Sequence, residues 1–134
     1  MLFASLQPQE ALRIDEQPNR VCLDAPRAIF QVENKAAEPI LAILKVERWS
    51  DEDDTVGWTV VQEDITQREA RPKQIRNVEL DARQRRNVAW ELSKRVGPPL
   101  LVTGRHRLVV TWSYKGGAPS GTVPHEFVLA DCGV

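Results

Sequence analysis

Two histidines, His106 and His125, are the only imidazoles among 134 residues. Most acid–base or nucleophile-activating chemistry would have to pass through one of them or through a carboxylate. In "TGRHRLVVTWSY" His106 alternates with Leu108 and Val110, which makes it an inward, hydrogen-bonded strand histidine rather than a catalytic base. His125 opens the last apolar run after Pro124, so the two imidazoles are expected near opposite ends of their strands and unable to share a metal. The acidic run "SDEDD" could offer calcium oxygens, but an EF-hand register starting at Asp51 would put Val56 at its sixth position and Gln62 at its twelfth. It reads better as a solvated hairpin tip whose charges oppose edge-to-edge pairing. The basic run "RQRR", with Arg68, Arg71, Lys73 and Arg76 upstream, has no aromatic neighbour before Trp90. Nucleic-acid surfaces interleave such charges with exposed rings or present them from a helix, so this patch is taken as protein-facing or merely solvated. The chain contains no glycine-rich phosphate loop, no G-x-S-x-G and no H-E-x-x-H. No catalytic, cofactor or metal residue is therefore assigned, and no enzyme is expected.

Two further groups could act through contact. Trp49 falls on the strand face opposite Leu44 and Val46, beside Trp58 and the acidic loop. Aromatic side chains at a loop-flanked strand end are common protein anchors, although packing of Trp49 beneath the loop is an equal alternative. Trp49, Asp51, Asp53, Asp54 and Trp58 thus form one candidate partner-binding patch, and Arg71, Arg83, Arg85 and Arg86 a second. The two cysteines, Cys22 and Cys132, lie near opposite ends of the chain. A terminus-to-terminus disulfide and a pair of free thiols are both open.

The elements that must hold these residues are strands. Apolar residues recur at spacing two in "RAIFQVEN", "ILAILKVERW", "GWTVVQ", "IRNVELD", "NVAWEL", "HRLVVTWSY" and "HEFVLAD", with a further short run at "VCLD". Trp58 and Val60 are expected inward, as are Trp90 and Trp112. Stretches such as "SDEDDTVG", "RVGPPL" and "KGGAPSG" supply turns, and the nine prolines fall mostly between the apolar runs. "KGGAPSGTVP" is read as one long glycine-rich hairpin joining the last two strands. Only "ITQREARPKQ" and the region of "PQEALRID" could carry a helical turn. At 134 residues, with 42% hydrophobic and 28% charged residues, one globular domain is expected. Residues 1–19 are read as an N-terminal extension and 20–134 as an all-β, Greek-key, immunoglobulin-like β-sandwich of about seven to eight strands. No run approaches the ~20 apolar residues of a membrane-spanning helix. The N-terminus lacks the basic and apolar regions of a signal peptide, which suggests cytoplasmic synthesis, possibly virion-associated, or a processed exported form.

"FQVEN" followed by "EPI", the tryptophan of "VAWEL", then "GRHRLVVTW" and a closing "HEFVL" resemble the immunoglobulin-like modules of bacterial and phage proteins. His106 stands where such modules carry tyrosine, so a tyrosine-corner bond would have to be made by imidazole or be absent. The resemblance implies a structural or protein-interaction subunit, such as an accessory or decoration protein of a virion, and it also extends to protease inhibitors that use an exposed loop. Residues 1–67 hold 13 acids and 6 bases, residues 68–134 hold 6 acids and 12 bases, and this split points to a protein partner or to copies of the chain itself.

Overall fold

A computed structural model of the chain describes residues 11–51, 56–62, 78–92, 102–117 and 120–132. These residues form nine strands: β1 (Leu12–Ile14), β2 (Arg20–Cys22), β3 (Arg27–Asn34), β4 (Ile40–Ser50), β5 (Gly57–Gln62), β6 (Val78–Leu80), β7 (Arg85–Glu91), β8 (Gly104–Tyr114) and β9 (Ser120–Ala130). One sheet has the order β1-β3-β7; the other runs β2-β9-β8-β4-β5, with β6 pairing the start of β4. The two face each other as an immunoglobulin-like β-sandwich. No helix among the described residues is long and apolar enough to cross a membrane.

The period-two patterns dictate the core. Ala28, Phe30 and Val32 point inward from β3, Ile40, Ala42, Leu44 and Val46 from β4, and Leu108, Val110 and Trp112 from β8. Aromatic rings join the layers at the centre. Phe127 of β9 lies 5.2 Å from Phe30 and 6.0 Å from Trp90, and it stacks on His106 at 5.7 Å. Trp112 faces Gly121 across the β8–β9 ladder, where an added Cβ would sit 3.0 Å from the indole Nε1. That cross-strand position therefore suits glycine.

Several elements depart from the sequence expectation. Leu12–Ile14, inside the segment read as an N-terminal extension with a possible helical turn, is a strand on β3 with Leu12 and Ile14 buried. A three-residue strand is too short to show an alternation. β9 begins at Ser120 rather than at His125, pairing from Ser120 opposite Ser113 onward, and Pro124 lies inside the strand. Half of the segment read as the long hairpin, residues 120–124, is thus ladder. β5 also turns the other way, because Trp58 pairs with Trp49 on the outer face and a register shift follows at Val46/Glu47. Val61, not Trp58 or Val60, is the buried residue of β5. "ITQREARPKQ" lies outside the described residues.

The chain also switches sheets. β1 and β3 pair with each other in the three-stranded sheet, whereas β2, between them in sequence, pairs in parallel with residues 128–130 of β9. A disulfide joins Cys22 to Cys132, 110 residues apart in sequence. Asn34, fully buried at the end of β3, links the sheets through its carboxamide. Its Nδ2 donates to the carbonyls of Glu38 (2.8 Å), Leu80 (3.1 Å) and Asp81 (3.1 Å), and its Oδ1 accepts from the Ala36 N–H at 2.9 Å. This satisfies a polar side chain that would otherwise cost several kcal/mol to bury.

Candidate functional site

The residues singled out by sequence sort onto two opposite surfaces. Trp49 and Trp58 meet on the outer face of the six-stranded sheet, ring centroids 5.3 Å apart and 70° between planes. Asp51 is exposed just beyond β4, and Asp53, Asp54 and Arg71 lie outside the described residues. Arg85 projects from the three-stranded sheet, where its Nε donates to Glu33 at 3.0 Å. That hydrogen bond holds the Glu33 carboxyl below its ordinary range, offset in part by desolvation, and raises Arg85. Arg83 occupies the β6–β7 turn with φ of 64°, and Arg86 is exposed beside it. Arg13, Asp15, Gln31, Glu33 and Arg85 line a shallow polar depression on this side. Its two acids, Asp15 and Glu33, balance its two bases, Arg13 and Arg85.

The indole pair is likewise self-contained. Arg105 lies 5.1 Å from both ring centroids, and Arg107 sits 4.1 Å over Trp58. Each arginine has a carboxylate: Arg105 Nε donates to Glu126 at 3.1 Å, and Arg107 Nε to Glu47 at 2.7 Å. Glu47 is buried and also faces Lys45 at 3.5 Å, as a charge withdrawn from water requires. Arg107 with Glu47 and Arg85 with Glu33 unite residues from the acidic and basic halves of the sequence, as does Arg27 with Glu91 at 3.6 Å. The fold therefore interleaves the charge split.

Each histidine is tied to a backbone carbonyl. His106 is fully buried and its Nδ1–H donates to the Gly104 carbonyl at 2.9 Å; burial holds its pKa below the usual value, against the raising effect of that bond. His125 Nε2–H donates to the Pro18 carbonyl at 2.9 Å. Because β9 starts early, His125 lies in mid-strand opposite Leu108, diagonal to His106 rather than at the far end of the sheet. Cys22, Asp24 and Cys132 cluster within 4.8 Å, but the two sulfurs are bonded to each other and offer no thiolate.

The feature that sequence reading missed is the outer edge of β9. β2 covers residues 128–130 only; among the described residues no strand pairs with residues 120–126 on that side. Backbone polarity there follows from two bonds: Val128 N–H donates to Asn19 and Ala130 C=O accepts from Leu23, so even-numbered residues of β9 point away from β8. Pro124 is even-numbered, and its missing N–H falls on the open edge, where proline costs no ladder bond. The signal was present in "SGTVPHEFVLA": a proline within an alternating run marks an edge strand.

No protein-family model matches the chain, and no curated protein is similar to it in sequence. Solved structures resemble it in fold. The YadV chaperone superposes with a TM-score of 0.56 at 17% identity, over 92% of this chain and 53% of that one. A chain of the Salmonella enterica SafA pilin–SafB chaperone complex gives 0.51 at 13% identity, over 90% of this chain and 54% of that one. The PapD-like domain 7 of human CEP192 gives 0.50 at 8% identity, over 100% of this chain and 94% of that one. What is shared with them is the fold, an immunoglobulin-like β-sandwich. The chain spans about half the length of the bacterial proteins it matches.

Proposed function

We propose that the chain is a non-enzymatic protein-interaction module that holds an extended segment of a partner against the free edge of β9. The carrying observation is that edge itself. Residues 120–126 offer outward N–H and C=O groups at Ser120, Thr122 and Glu126 and a carbonyl at Pro124, all in a preformed 11-residue strand. A partner strand could take up these groups by β-addition, with main-chain bonds giving affinity and side chains on alternate positions giving selectivity. Val123 and His125 are half-buried on the core side of the same edge, so an inward side chain of the partner would meet one apolar side chain and one imidazole ring. One structural neighbour comes from a complex of a chaperone with a pilin, which supports a protein-holding role by fold analogy.

The Trp49–Trp58 pair and Asp51 then serve as a rigid flank beside the disulfide end of the sheet, and Arg83, Arg85 and Arg86 as a solvated surface on the opposite side. An accessory subunit of a larger assembly fits this role. A virion lattice built on opposite charges has less support, because those charges pair within the fold.

The test is selection of random 12-residue peptides displayed on phage against the intact protein. Recovered sequences are expected to alternate apolar and polar positions, to lack a central proline, and to lose at least about tenfold in affinity on Thr122→Pro, which removes an edge donor. Peptides that bind Thr122→Pro unchanged but lose binding on Trp58→Ala would place the contact on the indole face and overturn the proposal.

A further inference from the structure

The length of this edge is set by β2, and β2 is attached in an unusual way. Residues 15–26 leave the three-stranded sheet after β1 and rejoin it at β3, and β1 and β3 are paired directly, Ile14 with Val32. Both ends of the segment are therefore anchored without β2. Its hold on the six-stranded sheet includes three register pairs with residues 128–130, the flanking Val128–Asn19 and Leu23–Ala130 bonds, and the His125–Pro18 contact. Within β2 only Val21 is buried, and Leu23 and Ala25 beyond it are partly buried. What fixes this short cover permanently is the disulfide from Cys22 to Cys132, two residues past the end of β9. Both cysteines are half-buried, within reach of a small reductant.

We propose that β2 is a redox-released cover on the C-terminal third of the β9 edge. A dithiol reductant attacks one sulfur of the Cys22–Cys132 bond, forming a mixed disulfide and releasing the other cysteine as a thiol. The second reductant thiol then displaces the remaining cysteine, so that two electrons and two protons pass to the protein and the reductant leaves as a disulfide. Asp24, beside both sulfurs, disfavours the departing thiolate by its negative charge and slows this exchange. Once untied, residues 19–23 can leave the sheet while β1 and β3 stay paired, and the edge extends from residues 120–126 to the whole of Ser120–Ala130. The oxidised protein takes a short partner strand and the reduced protein a longer one. This consequence rests on the β9 edge being the docking edge, but the release itself needs no partner.

Amide hydrogen exchange measures the release directly. The Val128 and Leu23 amides are compared with those of the β4–β8 ladder, in the oxidised protein, after dithiothreitol treatment, and in the Cys22→Ser/Cys132→Ser variant. On reduction the ratio of the two rates is expected to rise at least about tenfold, the sign of a local opening. An unchanged ratio overturns the proposal, including the case in which every amide accelerates together because the disulfide stabilises the fold only as a whole. In the oxidised protein, Val21→Ser removes the buried anchor but leaves the tether, so the ratio should change by no more than about threefold. A tenfold rise there would show that packing, not the disulfide, holds the cover.

Discussion

Thr122 and Val123 are adjacent in β9, yet proline should act on them in opposite ways. Val123 lies opposite Val110, and as an odd-numbered residue it shares ladder bonds with β8, whereas Thr122, opposite Thr111, directs its N–H to the open edge. Val123→Pro deletes a ladder donor, at a cost of about 3 kcal/mol for proline in a regular element. It also strands an acceptor beside the fully buried Val110, adding about 1 kcal/mol or more. A loss of ~4 kcal/mol corresponds to roughly 12–16 °C in Tm for a domain of this size. Thr122→Pro removes no bond, and the residue before it, Gly121, is already extended in the strand, so its cost should stay within about 1 kcal/mol. Thermal and guanidinium denaturation with near-ultraviolet dichroism would resolve the two. Equal losses, or the larger loss at Thr122, would invert the backbone polarity assigned to β9 and remove the basis for an open donor edge.

Two further outcomes follow from buried polar groups. Asn34→Ala should cost about 3 kcal/mol by denaturant titration with an unchanged m-value, since it orphans the buried Leu80 carbonyl and Ala36 N–H while the two part-buried carbonyls can turn to water. His106 is neutral in the fold with a lowered pKa, so the unfolded chain binds its proton first. Stability should be level above the unfolded value of ~6.5 and fall as pH drops below it through the lower folded value, and His106→Phe should flatten the decline in Tm measured between neutral and mildly acidic pH.

How much of this could be read from the sequence depended on whether a signal was local. The alternation of Phe30 with Val32, or of Leu108 with Val110, needs only a strand's own pleat, and both strands came out as read. Trp49 facing away from Val46 was legible for the same reason. The direction of Trp58 was not, because it depends on which residue of β4 it meets and on the register shift at Val46/Glu47. β1 has three residues, and its existence is decided by β3 rather than by any pattern of its own; β2, equally short, showed only as the run "VCLD", with its partner β9 unread. Asn34 looked like an ordinary turn residue after "FQVE"; its acceptors lie 46 and 47 residues away. The free edge of β9 was hidden by treating Pro124 as punctuation, when its missing donor faces a side that has no ladder to break.

Pro124 also bears on which partner the edge selects. An unpaired strand edge invites its own copy, since a two-fold axis can place β9 of one molecule antiparallel to β9 of another. In such a pair both strands lack the Pro124 donor, so two carbonyls go unpaired. A foreign strand meets only one proline and loses one bond. With an unsatisfied group costing about 1–3 kcal/mol, the difference disfavours self-pairing by roughly tenfold or more. Elsewhere on the edge Ser120 and Thr122 are small, uncharged and able to hydrogen-bond, and the one carboxylate, Glu126, is paired with Arg105 of the same sheet. An edge that needed only protection would be charged or covered along its length, whereas this one is penalised chiefly against its own copy. Pro124→Val should therefore raise self-association, seen as a rise in weight-average mass with concentration by light scattering that Thr122→Pro in the same chain abolishes. Self-association of the parent protein equal to that of Pro124→Val would show that the proline has no such role.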